Sequence, residues 1–545
     1  MPRTIFLFAG IAAASAFSCS ATRTALRVRP NFMARHSAVR ACATNAVTPQ
    51  EKQQLELEPP EDPSRRRLVS FALPATVLWL AGPLLSLIDT SAVGLTAPPG
   101  AGASQLAALG PATTFCDGSI YLFAFVNVAT TNLYASSLAR DDGTADAVVR
   151  RAVKVALVCA TVLVPITLAF GRSLLGLYVG GAASTNAALM DPALRYISIR
   201  CLSFPASLIG GVLQCAFLAA EDSIAPVISV AWATAANVVL DLVCVAGLGL
   251  GLSGAAFATF VAQWLGTLVL VRKALRSKLA GDAGFQIAPR WLRRGTGASG
   301  GESTHAVVPT KSFLAFAAPV LTLILGKIAA YGFLTHSAAG LGALALATHQ
   351  IGLSLFFFLT SSFLEVFGQT AQTFLPAYGS PPPGADATAW RRASDRLAWR
   401  LTRFATITSF ASACIAAAIP LFATSLLTND ATVRLAVRPL AVPLAVAAFM
   451  SGPIAAAEGI LLARRSLGFL ASVYVSTIAL LPPVLLAVER RGGPVVRLWT
   501  CFAIFQVIRS ALFTARIWLP RLLGTSSSAP EVSRVEDVKE GAEQD

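Results

Sequence analysis

The chain has 545 residues, of which 55% are hydrophobic and only 13% charged, and its formal net charge is +15. Soluble domains carry about 25% charged residues, and a mean hydropathy of +0.65 means that water cannot solvate most of this chain. The composition therefore excludes an ordinary soluble protein. Its basic residues cluster in short loops between apolar runs, where they orient membrane proteins, so the positive charge does not indicate nucleic-acid binding.

The first fifty residues have the composition of a targeting segment. The apolar run Ile5–Ala16 is too short to span a bilayer and is typical of a signal peptide. The stretch after it is rich in Arg, Ser, Thr and Ala and has no acidic residue before Glu51, as in transit peptides. Because the junction Ala14–Phe17 resembles that of a bipartite plastid presequence, we predict that residues 1–50 direct the chain to a plastid (chloroplast) membrane. An ordinary secretory signal, and so another cellular membrane, is the alternative.

Twelve apolar segments of spanning length follow a polar stretch at 51–67, which we predict to be a disordered linker. A helical span needs about 20 residues, and in lipid such segments satisfy their backbone only as helices. We expect the spans to begin near residues 68, 108, 153, 194, 225, 253, 312, 343, 399, 436, 467 and 495. The predicted fold class is an all-α membrane protein with twelve transmembrane helices and a disordered acidic tail at 520–545.

The apolar region repeats internally. Phe71–Pro74 recurs as Phe316–Pro319, and the loop Ala220–Ser223 aligns with Ala463–Ser466 at nearly the same spacing. The repeat predicts two pseudo-symmetric six-helix bundles, as in many secondary transporters. Their predicted bounds are 68–275 for the N-terminal lobe, 276–311 for a basic inter-lobe loop and 312–519 for the C-terminal lobe.

Polar residues inside spans cost free energy, about 2.5–3.5 kcal/mol for a central charge, and so indicate functional sites. Asn237 and Asp241 are four residues apart and share a helix face, where amide and carboxylate could hold a proton or Na⁺. Asp89 lies on another span, and the second half has no counterpart of either acid. We predict a cation-coupling site from these residues, with Thr259 completing it. A structural role is the alternative for each acid.

The second half carries a different set of polar residues. One face of the predicted eighth span holds Ser361, Glu365, Gln369 and Gln372 at helical spacing. This face either lines a lumen or bonds to other helices. Lys327 either pairs with Glu365 or, if free, favours anionic substrates, and Glu458 is placed near a helix end, where it could reach the interface. The residues that we expect to line the substrate cavity are Asp117, Lys327, Glu365 and Gln369.

Two stretches carry a family resemblance. The segment Pro83–Gly94 and the stretch from Asn237 to Thr259 are similar to the first helix and the fifth-to-sixth hairpin of multidrug and toxic compound extrusion (MATE) transporters. Ala347–Ile351 resembles the start of the eighth helix, and the subgroup resembled is that of the DNA-damage-inducible F protein. The resemblance implies a MATE-like fold, and it places the cation-coupling site of the N-terminal lobe at the positions of Asp89 and Asp241.

These features predict a secondary active antiporter that exports a small organic molecule across a lipid bilayer in exchange for H⁺ or Na⁺. Candidate substrates are organic cations, phenolic compounds and other metabolites or xenobiotics, and a flippase for lipid-linked substrates is the alternative. Gly249, Gly251 and Gly254 match a dinucleotide motif, but the flanking apolar spans predict a helical hairpin instead. The sequence shows no catalytic, cofactor or metal-binding pattern, so we expect a monomer that is not an enzyme and holds no cofactor.

Overall fold

The computed structural model describes residues 57–96, 102–140, 145–179, 187–276, 310–379, 381–382, 384–424 and 431–522. The predicted presequence, residues 51–56, most of the inter-lobe loop and most of the tail lie outside the described residues. Every regular element in the described ranges is a helix. The prediction of an all-α protein is confirmed.

The described residues before the central loop form eight α-helices. They are α1 (Arg65–Thr96), α2 (Gly102–Tyr121), α3 (Ala124–Arg140), α4 (Ala145–Val179), α5 (Ala187–Arg200), α6 (Phe204–Ala219), α7 (Ile224–Asp241) and α8 (Gly251–Arg276). A 3₁₀ turn at Cys201–Ser203 joins α5 to α6, and a π-helix at Leu242–Gly247 continues α7.

The described residues after the central loop form eight more. They are α9 (Thr310–Gly340), α10 (Ala343–Ser361), α11 (Glu365–Phe374), α12 (Ala387–Phe422), α13 (Ala431–Val437), α14 (Ala441–Ala463), α15 (Leu467–Arg490) and α16 (Val496–Leu522). Two 3₁₀ turns, Leu375–Tyr378 and Arg438–Leu440, follow α11 and α13.

Eleven segments of the described chain are long and apolar enough to cross a membrane. They are α2–α3, α4, α5–α6, α7 with the π-helix, α8, α9, α10–α11, α12, α13–α14, α15 and α16. Helix α1 has 32 residues and lies where the sequence predicts the first span. Counted with the eleven segments, it gives the twelve predicted transmembrane helices. Many large apolar side chains, Val158 and Phe422 among them, are exposed on the helix surfaces, as expected where lipid is the solvent.

The spans that the repeat aligns are interrupted at matching places. The second span is broken between α2 and α3, and the eighth is broken between α10 and α11. The fourth and tenth spans each contain a 3₁₀ turn, at Cys201–Ser203 and at Arg438–Leu440. Breaks of this kind free backbone groups that protein must then satisfy, so their recurrence supports the internal repeat.

The turns after α6 and α14 also share one conformation. Glu221 and Arg465, with φ of 63° and 56°, have the left-handed backbone that usually requires glycine. In both turns the following N–H bonds to the carbonyl five residues back, at 2.9 Å. A left-handed non-glycine residue costs about 1–2 kcal/mol, so both halves store the same local strain. By their conformation Glu221 corresponds to Arg465, whereas the sequence alignment matches Glu221 with Arg464, one residue earlier.

The described residues pack as two compact units. The first unit contains residues 81–96, 102–127 and 145–276, and the second contains 58–80, 128–140 and 310–522. Trp499, Phe356 and Phe502 lie in the core of the second unit, and Tyr196 and Phe204 lie in that of the first. The predicted lobes stay predictions, since the beginning of α1 clusters with the second unit rather than with its predicted lobe.

Aromatic and ionic contacts fix the beginning of α1 on the second unit. Phe71 packs edge-on against Phe374, with ring centroids 5.4 Å apart, and Arg67 lies over the same ring. Just before the helix, Asp62 forms an ion pair with Arg396 at 3.0 Å, and Pro63 is buried. These contacts hold the end of the segment that the sequence predicts to be a disordered linker.

Small residues on α14 let neighbouring backbones approach closely. A Cβ atom on Gly459 would overlap the backbone of Gly368 in α11, and one on Gly452 would overlap the carbonyl of Ala405 in α12. Such contacts are typical of helix packing in lipid, where side-chain burial alone does not drive association. The close approach also carries Glu458, the neighbour of Gly459, into the interior of the second unit.

Gly459→Ala should therefore lower the midpoint of thermal unfolding in detergent. The added methyl group meets backbone atoms, which cannot rotate away, and overpacking costs about 1–3 kcal/mol. Gly468→Ala is the control, because Gly468 in α15 has open space where its Cβ would lie. We expect the control to unfold at the wild-type midpoint or above. Equal midpoints for the two variants would contradict the close packing.

Candidate functional site

The polar pair predicted on the fifth span lies on one buried face of α7. Asn237 donates through Nδ2 to Oδ2 of Asp241 at 2.8 Å, and the two residues are 2% and 1% exposed. Residues four apart on a helix stack along one face. The predicted pairing of amide and carboxylate is therefore confirmed.

The backbone changes geometry immediately after Asp241. Helix α7 ends at this residue, and the chain continues as the π-helix Leu242–Gly247. Single π-turns are rare and occur frequently at functional sites, because they redirect side chains and backbone carbonyls. The acid therefore stands where a regular helix passes into irregular backbone, an arrangement that transporters use to bind small ions.

Three glycines shape the turn between the π-helix and α8. Gly249 and Gly251 have φ of 65° and 53°, which glycine adopts without strain. A Cβ atom on Gly254 would press against the carbonyl group of Cys244, so glycine permits α8 to lie close to the π-helix. The GxGxxG stretch is thus a tight helical hairpin, as predicted from its flanking spans.

The way in which α7 and α8 pair determines which residue of α7 lies beside Thr259. Near one end of the pair, the Ser229 hydroxyl donates to the carbonyl of Gly266 at 2.7 Å, and near the other Gly254 meets Cys244. Because the helices are antiparallel, Thr259 lies level with Asn237, and it is buried. Three of the predicted cation-site residues therefore lie on adjoining helices of one unit.

Asp89 is the fourth residue of the predicted cation site. It lies in α1, in the part that belongs to the same unit as Asp241. Its side chain lies outside the described residues. Its place in the site remains a prediction.

Asp117, expected to line the substrate cavity, forms an ion pair. Arg200 donates through Nη2 to Oδ1 of Asp117 at 2.6 Å and through Nη1 to the Tyr196 hydroxyl at 2.9 Å. The arginine side chain is 10% exposed and the carboxylate 62% exposed. Arg200 was not among the residues predicted from the sequence, although a basic residue inside the fourth span was a usable signal.

The second unit buries a larger cluster of charges, in which Glu458 is central. Lys327 donates to its Oε1 at 2.7 Å, and the Tyr474 hydroxyl donates to its Oε2 at 2.6 Å. Lys327 therefore forms its ion pair with Glu458 rather than with Glu365, with which it interacts electrostatically. Glu458 lies near the end of α14, as expected, but it is buried and does not extend to the interface. The close packing of α14 brings Glu458 inward, to within reach of α9 and α15.

The predicted polar face of the eighth span is divided by a helix break. Ser361 ends α10 and Glu365 begins α11, so the face does not lie on one continuous helix. Glu365 is half-buried and interacts electrostatically with Lys327, Glu458 and Arg509 without forming an ion pair among the described residues. The prediction of one polar face was based on helical spacing, which holds only for an unbroken helix, so it could not show this division.

The glutamines of α11 make contacts of two kinds. Gln372 accepts a hydrogen bond from Nδ2 of Asn132 in α3 at 2.8 Å, so this part of the face binds another helix. Gln369 is buried, and its Nε2 has no hydrogen-bond partner in the described part of the chain. Asn132 was not among the residues predicted from the sequence. An amide inside the apolar second span was the signal that could have identified it.

Known proteins share both sequence and fold with this chain. Residues 74–243 match the family model described as MatE. Protein DETOXIFICATION 47, chloroplastic, of Arabidopsis thaliana is 30% identical over 479 residues, which are 87% of this chain and 81% of the relative. DNA damage-inducible protein F of Escherichia coli (strain K12) is 28% identical over 346 residues, 61% of this chain and 67% of that protein.

The crystal structure of the eukaryotic MATE transporter AtDTX14 superposes on this chain with a TM-score of 0.68 at 16% identity. The match covers 85% of this chain and 96% of that one. At such low identity the likeness shows the fold alone. The predicted MATE-like fold is confirmed.

Asp117→Asn should destabilise the protein. The variant leaves the Arg200 guanidinium, which is largely buried, without its counter-charge, and a buried charged group that loses its partner costs about 1–3 kcal/mol or more. We expect a lower midpoint of thermal unfolding in detergent. Asp191→Asn is the matched control, because Asp191 pairs with Arg172 at side-chain exposures of 49% and 62%, and exposed pairs contribute little.

A different result would assign Asp117 another role. If Asp117 only lines a substrate cavity, Asp117→Asn will unfold at the wild-type midpoint while transport falls. The double variant with Arg200→Met gives a further check. Removing both charges should recover part of the lost stability, because no unpaired charge is left.

Proposed function

Since the chain belongs to the multidrug and toxic compound extrusion family of membrane transporters, we propose that it is a secondary active antiporter. It exports a small organic molecule in exchange for H⁺ or Na⁺. The observation that carries this proposal is the buried pair of Asn237 and Asp241 beside the π-helix. A carboxylate at this depth is expensive to keep charged, so its occupancy by a proton or cation changes the energy of the protein.

The proposed coupling site comprises Asp89, Asn237, Asp241 and Thr259. If the coupling ion is H⁺, it binds a carboxylate oxygen of Asp241, and the Asn237 amide holds the side chain in place. If the ion is Na⁺, the carboxylate, amide and hydroxyl oxygens of these residues are suitable ligands, as are backbone carbonyls freed by irregular helix geometry. In either case the bound ion neutralises a buried carboxylate, and this gain links ion entry to the change of state.

Asp241→Asn should abolish ion-driven export in proteoliposomes while leaving the protein folded. Asparagine keeps the size of the side chain and a hydrogen-bonding oxygen but can neither titrate nor supply a negative charge. We expect substrate movement driven by an imposed pH or Na⁺ gradient to fall to the level measured without a gradient, a loss of at least about tenfold. Asp191→Asn, which removes an exposed acid of the same unit, should retain wild-type transport.

Transport assays in the same proteoliposomes identify the coupling ion. Export that requires Na⁺ at constant pH identifies sodium, and export that follows the pH gradient without Na⁺ identifies protons. The proposed site would be refuted by wild-type, gradient-dependent transport in the double variant Asp89→Asn with Asp241→Asn.

We also propose that the protein is directed to a plastid membrane. The two-part composition of residues 1–50 supports this, as does the name of the relative DETOXIFICATION 47, chloroplastic. A fusion of residues 1–50 to a fluorescent protein should enter the plastid, and the fusion should lose at least residues 1–16. A fusion of residues 17–50 is the control, because it lacks the apolar run. Retention of the full fusion in the secretory pathway would contradict the proposal.

A further inference from the structure

Helix α12 is longer than a bilayer is thick, and its composition changes at one place. Residues 404–422 have no charged side chain, whereas residues 387–403 contain five arginines. The uncharged part rises about 28 Å along the helix axis, which is close to the hydrocarbon thickness of about 30 Å. Arg403 is the last of the five arginines, so it lies at the boundary between the hydrocarbon and the lipid headgroups.

Two tryptophans mark the same boundary. Trp399, one turn before Arg403, packs edge-on against Trp518 of α16, with ring centroids 5.5 Å apart. Tryptophan is enriched at the level of the lipid headgroups, because its ring is apolar while its N–H needs a polar partner. Trp399 is 55% exposed and makes no hydrogen bond to the described part of the chain. Its indole N–H is therefore available to a lipid headgroup.

Arg403 shares an outward face of α12 with large apolar side chains. Trp399 lies four residues before it, and Ile407 and Phe410 lie four and seven residues after it, which places all four on one side of the helix. Ile407 and Phe410 are 60% and 63% exposed, and Arg403 is exposed as well. The face thus presents an indole, a guanidinium and then two apolar side chains, which matches the order of polar and apolar parts in a phospholipid.

The guanidinium of Arg403 is not used by the protein, unlike those of its neighbours on α12. Arg396 forms an ion pair with Asp62 at 3.0 Å, and Arg400 is half-buried and interacts electrostatically with Tyr378. Arg403 forms no hydrogen bond, ion pair or ring contact with any residue that the structure describes. Its five N–H donors can therefore all serve a ligand.

We propose that Arg403 and Trp399 bind the headgroup phosphate of an anionic phospholipid. One acyl chain of that lipid lies against Ile407 and Phe410. A phosphate fits the planar guanidinium with two parallel hydrogen bonds. Residues 387–403 set five arginines against the single acid Asp395, and this excess favours a headgroup with net negative charge over a zwitterionic one. The site lies wholly within the second unit, and it does not depend on the proposed transport function.

Native mass spectrometry of the purified full chain tests the site. It measures the affinity for the first lipid bound from detergent micelles that contain phosphatidylglycerol or phosphatidylcholine with the same acyl chains. We expect the wild type to prefer phosphatidylglycerol. Arg403→Gln should weaken phosphatidylglycerol binding about fivefold, the contribution of one basic residue near an anionic lipid surface.

Arg391→Gln is the matched control for this experiment. Arg391 is an exposed arginine of the same helix, about three turns before Arg403. The control removes the same charge from a position outside the proposed site, so it should bind phosphatidylglycerol as the wild type does. Arg403→Lys should bind more weakly than the wild type but more tightly than Arg403→Gln, because lysine keeps the charge without the two parallel hydrogen bonds.

Two further measurements separate a lipid site from a structural role and from a site for soluble anions. Without added lipid, Arg403→Gln should unfold at the wild-type midpoint, since Arg403 is exposed and holds no described residue. Phosphatidylglycerol should raise the midpoint of the wild type more than that of the variant. Glycerol phosphate carries the headgroup phosphate without acyl chains, so at equal concentration it should not displace the lipid.

Three outcomes would overturn the proposal. The first is equal affinity of the wild type for the two lipids, and the second is an equal loss of binding in Arg403→Gln and Arg391→Gln, which would indicate general attraction to a basic surface. The third is displacement of phosphatidylglycerol by glycerol phosphate, which would identify a soluble anion as the ligand.

Discussion

In lipid, a charge or amide must find its partner inside the protein, because neither water nor a counter-ion is available there. This constraint governs the interior of both units. Arg200 holds Asp117 across two helices, Lys327 of α9 holds Glu458 of α14, and Asn132 of α3 holds Gln372 of α11. Each bond joins different spans, so satisfying the polar groups also fixes which helices are neighbours.

The two halves repeat their backbone but not their chemistry. Matching breaks interrupt the second and fourth spans of each half, and the same strained turn recurs at Glu221 and Arg465. Yet Asp241 has an amide for its neighbour, whereas Glu458 has an ammonium group. The amide neighbour of Asp241 is uncharged, so the two acids stand in different electrostatic surroundings.

Features that depend on spacing along one helix could be predicted from the sequence. The pairing of Asn237 with Asp241 and the glycine hairpin before α8 follow from local periodicity and flanking composition. The partner of Lys327 could not be predicted, because the choice between Glu365 and Glu458 depends on how closely α14 approaches its neighbours. That distance is set by Gly459 and Gly368, far apart in the chain. The break between Ser361 and Glu365 was missed for a similar reason: the helical spacing of the polar residues continues across it.

The difference between the units has an energetic consequence for the proposed exchange. Moving a carrier through its cycle costs least when its buried charges are neutralised, and coupling requires that loaded and unloaded states differ in this cost. A site built on Asp241 is neutralised by a cation, whereas Glu458, the central acid of the second unit, already holds Lys327. The proposed exchange thus depends on a few side chains that differ between the units, while the repeated helices, breaks and turns supply the common scaffold.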